Sequence, residues 1–169
     1  MIVIRSPRLQ LSQFQMMDAH EVFGCITPAI AEFMPWEPPS WSEYVTRCEK
    51  RVQAPEPNKF SFVARRLDNE ECLGMASLED ADSVWPEIGL WLKESAHRQG
   101  FGREVVAELV EWGHASLGKG SFIYPVAVQN IASRRIAENL GGEIIGTRTN
   151  PKYDSVIYRI PSTSGRHSA

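Results

Sequence analysis

Residues 85 to 128 carry the pattern that most narrows what this chain can fold into. Trp85 to Leu92 alternates Glu87, Gly89 and Trp91 against Ile88, Leu90 and Leu92, the period of a half-buried strand. The turn His97-Arg98-Gln99-Gly100-Phe101-Gly102 follows, and then Phe101, Val105, Val106, Leu109, Val110 and Gly113 recur at the three- and four-residue spacing of one helical face. Phe122 to Val128 reads as another strand. Strand, glycine turn, helix and strand make a βαβ unit, so at least one pair of strands runs parallel.

The flanking segments read mainly as antiparallel partners. Leu9-Gln10-Leu11 alternates like a strand, and residues 15–26 place Ala19, Val22, Phe23 and Ile26 at helical spacing. Three prolines and two tryptophans in Phe33 to Trp41 break regular structure, and a helix is expected from about Ser42 to Gln53. Phe60 to Arg65 and Glu71 to Leu78 form a hairpin around Asp68-Asn69-Glu70. Ile131 to Leu140 is a short helix stopped by Gly141-Gly142, and strands at about 143–149 and 154–160 turn around Asn150-Pro151. The expected fold class is α/β, a mostly antiparallel seven-stranded mixed sheet with the βαβ unit at its centre. Residues 1–160 form one domain and 161–169 a flexible tail, because the polar end offers nothing apolar beyond alanine and proline.

Composition limits the partners. The 169 residues suit one core, and 43% hydrophobic with 23% charged residues is the balance of a globular domain. Eighteen Lys and Arg against 21 Asp and Glu leave a net charge of −3, without the basic surplus of a sequence-independent nucleic-acid binder. No run approaches the roughly 20 apolar residues of a membrane span, and the first residues lack a secretory pattern. No nucleic acid, no membrane and a cytoplasmic location are therefore expected. Cys25, Cys48 and Cys72 are odd in number and widely spaced, which suits core thiols better than a disulfide framework or a zinc site.

A glycine turn entering a helix leaves backbone N–H groups unpaired at the positive end of the helix dipole. Gly100 and Gly102 remove side chains that would hold a phosphate away, and Arg98 and Arg103 add charge. The same glycines also suit a plain βα turn built for close packing. A P-loop is absent, since no Gly-Lys-Ser/Thr follows, and the third glycine of a dinucleotide fingerprint is missing.

Four motifs in order then resemble one family. Glu87-Ile88-Gly89-Leu90-Trp91-Leu92, His97-x-x-Gly100-x-Gly102, Asn130-Ile131-Ala132-Ser133 and Leu140-Gly141 resemble the GNAT superfamily of acetyl-CoA-dependent N-acetyltransferases. Leu9-x-Leu11, Asp18-Ala19 and the Ser133 helix are most similar to its RimJ/RimL-type ribosomal-protein branch. The resemblance spans about 1–160 and departs at His97, where Gln or Arg is usual, and at Gly142, where Phe is common. Many members also carry a tyrosine acid at the position of Ala137. The resemblance implies helices on both sheet faces and a splay between the strand ending at Leu92 and the strand starting near Phe122, into which pantetheine inserts. Pro125, lacking a ladder donor, suits the side a neighbour has left, although an ordinary edge strand would also accept it. By the same resemblance Leu92 meets pantetheine through its backbone. Arg98, Gln99, Gly100, Phe101, Gly102 and Arg103 cradle the pyrophosphate, and Asn130 and Ser133 face the thioester. Without it, Asn130 reads as a helix N-cap and Ser133 as a first-turn serine.

Acetylation needs a neutral amine. An α-amine with pKa about 7.7–8 is partly neutral near pH 7.5, whereas lysine at about 10.4 lies roughly three units away, or about 4 kcal/mol. An α-amine thus needs only a weak base, and Glu87, with Gly89 beside it for access, is the candidate. Glu87 can equally be a solvated strand carboxylate, and His20, His97 and His114 are chemical alternatives. Ser133 is the expected donor to the departing sulfur. Trp36 and Trp41 are expected to wall the acceptor site, with Glu37 attracting a cationic amine, though loop aromatics also simply pack. The branch resemblance favours a protein N-terminus as acceptor. The rivals are a small amine such as an antibiotic or polyamine, and a non-catalytic acyl-CoA binding module.

Overall fold

The computed structural model describes residues 1–163, and the tail segment 164–169 lies outside the described residues. Eight strands form one sheet in the order β1-β2-β3-β4-β5-β6-β8-β7. They are β1 (Val3–Arg5), β2 (Leu9–Gln13), β3 (Phe60–Arg66), β4 (Cys72–Glu79), β5 (Glu87–Leu92), β6 (Ser121–Ala127), β7 (Glu143–Thr149) and β8 (Asp154–Pro161). The helices are α1 (Ala19–Gly24), α2 (Pro28–Ala31), α3 (Trp41–Gln53), α4 (Phe101–Leu117) and α5 (Ile131–Asn139). The expected count of seven strands is corrected to eight. The missed strand, β1, is three residues long with only Ile4 buried, and is held by pairing with β2 rather than by a pattern of its own.

Every neighbouring pair is antiparallel except β5 and β6, which are parallel and meet at a single register pair, Glu87 with Ile123. The six-residue face expected for α4 is buried throughout, against Leu78, Ile88, Phe122 and Ile160 of the sheet. At about 1.5–3 kcal/mol for each large apolar side chain, this is the main anchor of the crossover helix. Val63 and Met75 point to the other face, where Ala19, Val22, Tyr44 and Cys48 of α1 and α3 cover them. Helices therefore lie on both faces. Cys25, Cys48 and Cys72 are all free and buried in that second cluster, as core thiols.

Residues 161–163, expected as the start of the tail, are tied to the domain. Pro161 completes β8, Ser162 is buried with its N–H donating to the Gly120 carbonyl at 3.0 Å, and Thr163 bonds to Glu111. No helix among the described residues is long and apolar enough to cross a membrane.

Candidate active site

The divergence of β5 from β6 opens a cleft of about 520 Å³, lined by Glu87 to Trp91 on one side and Tyr124 to Ala127 on the other. The backbone explains why it stays open. The Ile123 N–H donates to the Pro86 carbonyl at 2.9 Å, so by the two-residue period the nitrogen of Pro125 also points toward β5. Proline has no hydrogen to donate, so the ladder is not continued there, while Pro125 keeps its place opposite Ile157 of β8. The unpaired edge of β5 is thus available to an extended ligand.

At the Leu92 end of β5 lies the glycine turn. Arg98 and Gly100 both have positive φ, 60° and 80°, and Gly100 is the N-cap of α4. The first helical bond there runs from the Glu104 N–H to the Gly100 carbonyl, which leaves the N–H groups of Phe101, Gly102 and Arg103 without a helical acceptor. Arg98, Gln99 and Arg103 are exposed at this turn, whereas the Phe101 ring is buried and serves the core. The two glycines do different things. Gly100 supplies the left-handed turn, but a Cβ on Gly102 would lie 2.8 Å from Ile136 Cδ1, so Gly102 serves the approach of α4 to α5. Arg8 clamps the turn from outside, donating to the Gln99 carbonyl at 2.9 Å and to Glu104 at 2.7 Å, with its guanidinium 4.5 Å from the Phe101 ring. Burial pushes the Glu104 carboxyl up, but hydrogen bonds from Ser6 and Arg8 outweigh it and hold the group below its ordinary range. His97 Nε2 donates to the Leu92 carbonyl at 2.8 Å, leaving that oxygen one further lone pair.

Within the cleft, Asn130 is the N-cap of α5, its Oδ1 accepting from the Ser133 N–H at 3.3 Å, and both residues also line the opening. The capping role and the cleft position coexist. Ser133 lies beside Tyr124, whose phenol is pushed up to about 12 by burial, with hydrogen bonding to Ser133 working in the opposite direction. Tyr124 escaped the sequence reading because its alternation in β6 marks it as core. Ala137 is fully buried and does not line the cleft, and the hydroxyl that interacts with Ser133 is that of Tyr124 on β6. Glu87 is about one quarter exposed and receives both terminal nitrogens of Arg148, at 3.2 and 3.0 Å. Arg148 was also missed, since only the β7–β8 register brings it to this point.

The acceptor-side residues divide. Trp36 lines the cleft and meets Trp91 edge-on at 6.2 Å between ring centroids. Trp41 does not line it: as the first residue of α3 it packs on His20, Phe23 and Tyr44. Glu37 is exposed and ion-paired to Lys152 at 2.9 Å, and Lys152 also donates to the Ala31 and Trp36 carbonyls, pinning the loop. Of the three residues expected at the acceptor site, Trp36 lines the cleft and Glu37 and Trp41 do not. His20, His97 and His114 do not line the cleft either, and His114 Nδ1 donates to the Lys119 carbonyl at 2.9 Å, just beyond the end of α4.

The sequence matches the acetyltransferase (GNAT) domain family over residues 8–143. The chain belongs to the GNAT family. Its reaction is acetyl transfer from acetyl-CoA to an amine, and the open β5 edge with the Gly100 turn fits that cosubstrate. Three solved structures are similar to this GNAT acetyltransferase in fold. A GNAT-family acetyltransferase from Bacillus anthracis superposes with TM-score 0.83 at 16% identity, covering 95% of this chain and 99% of that one. RimL, a ribosomal L7/L12 α-N-protein acetyltransferase in complex with coenzyme A, gives 0.80 at 17%, covering 95% and 98%. Spermidine N-acetyltransferase from Vibrio cholerae, in complex with CoA and spermine, also gives 0.80 at 17%, covering 95% and 99%. No curated protein sequence matches the chain.

Proposed function

We propose that this GNAT acetyltransferase acetylates the α-amine of a protein or peptide N-terminus. The observation that carries the reading is the charge balance of the cleft. Its two carboxylates are both matched, Glu87 by Arg148 and Glu79 by Lys59 at 3.0 Å. A polyamine brings several ammonium groups and needs several uncompensated carboxylates. A single α-amine, partly neutral already, needs one acceptor for its proton. Glu87 is that acceptor in this reading, directly or through water, because each oxygen bonded to Arg148 keeps further lone pairs.

Acetyl-CoA supplies an activated thioester carbonyl. The N–H groups of 101–103 and the Arg98 and Arg103 side chains hold its phosphates, and the backbone of Leu92 and the adjoining β5 edge holds the pantetheine. Ser133, backed by the un-ionised Tyr124 phenol, holds a proton for the departing sulfur. That thiolate needs only modest help, since a thiol titrates near 8.5. Trp36 forms a wall of the acceptor opening. The test is an acceptor screen with peptides differing in their first residue, beside spermidine and aminoglycosides, read by mass spectrometry. Acetyl-CoA-dependent acetylation confined to peptides is expected, and turnover of the polyamines alone overturns the reading.

A further inference from the structure

Of the five charged residues lining the main cleft, four form the two ion pairs above, and the fifth, Arg51, has no carboxylate within ion-pairing distance among the described residues. Arg51 is held inward by the helix that carries it. Tyr44, Cys48 and Arg51 recur at four- and three-residue spacing along α3, and the first two are the buried stripe of that helix. The guanidinium stacks over the Phe14 ring at 5.0 Å, and its Nη1 is buried with no hydrogen-bond partner. The neighbouring Tyr44 hydroxyl is likewise buried outside hydrogen-bond geometry, and burial raises its pKa while the Arg51 guanidinium beside it works in the opposite direction. A cation in the last turn of a helix is ordinary, but a guanidinium nitrogen left buried and unbonded there is costly.

Arg51 and Lys59 also line a second cleft of about 280 Å³, together with Arg47 and Lys50 and with Glu56 as the one acid. The two clefts therefore share a wall that is basic. This wall stands at the Glu87 end of β5, because Lys59 pairs with Glu79 and Glu79 lies opposite Glu87. The glycine turn follows Leu92 at the other end, about 17 Å along the strand at roughly 3.4 Å per residue. The phosphates of the cosubstrate do not explain a basic wall so far from their own turn.

We infer that Arg51, with Arg47 and Lys50 outside it, is a docking site for a carboxylate of the acceptor, so that the preferred substrate is an acidic N-terminal segment. This deepens the proposed function and rests on it for the identity of the reacting amine. Arg51 lines both clefts, and a guanidinium is the cation best suited to hydrogen-bond a carboxylate. An extended peptide entering with its amine at Glu87 would pass this wall with an Asp or Glu side chain in its first few residues. Basic peptides and polyamines would be repelled.

The experiment separates docking from turnover. Binding of N-acetylated peptides with acidic, neutral or basic residues at positions two to five is measured by calorimetry for the wild-type chain, Arg51→Met and the exposed double variant Arg47→Gln/Lys50→Gln. The acidic peptide is expected to bind about tenfold to a hundredfold more tightly than the neutral one, the gain of a charge-assisted pair. Arg51→Met should collapse that ratio and the double variant should reduce it. Equal binding of all three peptides by the wild type, or an acidic preference surviving in Arg51→Met, overturns the assignment. Unblocked peptides are then incubated with acetyl-CoA. Acidic peptides that bind through Arg51 but are never acetylated would refute the proposed function and leave the anion site standing. Acetylation indifferent to peptide charge would do the reverse.

Discussion

Replacing Gly100 with alanine tests the cradle, and replacing Gly102 with alanine provides a matched comparison two residues away. Gly100 sits at φ 80° and ψ 2°. An L-residue there costs about 1–2 kcal/mol, partly offset by the roughly 0.4–1 kcal/mol that alanine gains through a less flexible unfolded chain. A net loss near 1 kcal/mol lowers Tm by about 2–4 °C in a chain of this size. Its Cβ would come within 3.3 Å of Arg8 Nη2, the end of a flexible side chain, so sterics alone add little. The larger effect falls on CoA. If the turn relaxes toward negative φ, one N–H aimed at a phosphate is lost, about 1.5–3 kcal/mol for a hydrogen bond to a charged group, or roughly tenfold to 150-fold in Kd. Gly102 has no positive φ, and its added Cβ meets Ile136 Cδ1. Gly102→Ala should lower Tm while changing the CoA Kd by less than Gly100→Ala does. Calorimetry and thermal unfolding on both variants decide it. A CoA Kd within twofold of wild type in folded Gly100→Ala would refute the cradle, and a larger Kd loss in Gly102→Ala would show that the two roles are reversed.

Three further outcomes follow from the site. Glu87→Gln should slow turnover most at low pH, where the neutral amine is scarcest, and a wild-type to mutant rate ratio that stays flat from pH 6.5 to 9.5 excludes Glu87 as base. Ser133→Ala should lower kcat by about tenfold to a hundredfold, for one hydrogen bond worth about 1–3 kcal/mol, with the CoA Kd nearly unchanged; a loss expressed wholly in Kd makes Ser133 a binding contact. Glu104, held below its ordinary pKa, contributes stability that is present above about pH 4.5 and is lost as pH falls through its folded value. Glu104→Gln should therefore lower Tm at pH 7 by more than at pH 3, and an equal shift at both would show that the carboxylate charge is not what stabilises the turn.

The elements with a long, unbroken period were legible in the sequence. The α4 stripe, the hairpin at Asp68-Asn69-Glu70 and the βαβ crossover are local patterns that the tertiary structure leaves intact. Pro125 was informative for the same reason, since a missing donor constrains its own strand regardless of neighbours. What escaped depends on register and on distant partners. Arg148 reaches Glu87 across 61 residues, and β1 exists only because β2 pairs with it. Trp36 and Trp41 fall in one proline-rich stretch of the sequence, and only the start of α3 at Trp41 decides that one faces the cleft and the other packs on Phe23. Arg51 carries no signal of its own in the sequence, and only the burial of Tyr44 and Cys48 on the same helix stripe sets it apart.

The central claim is that the cleft between β5 and β6 transfers acetyl to an α-amine. Its most direct test is to incubate the protein with acetyl-CoA and an acidic peptide carrying both a free N-terminus and an internal lysine, then to locate the acetyl group by tandem mass spectrometry. The account predicts acetyl on the α-amine, one per peptide, with lysine unmodified near pH 7.5. Acetyl on the lysine, or CoA release with no acetylated peptide, would contradict it.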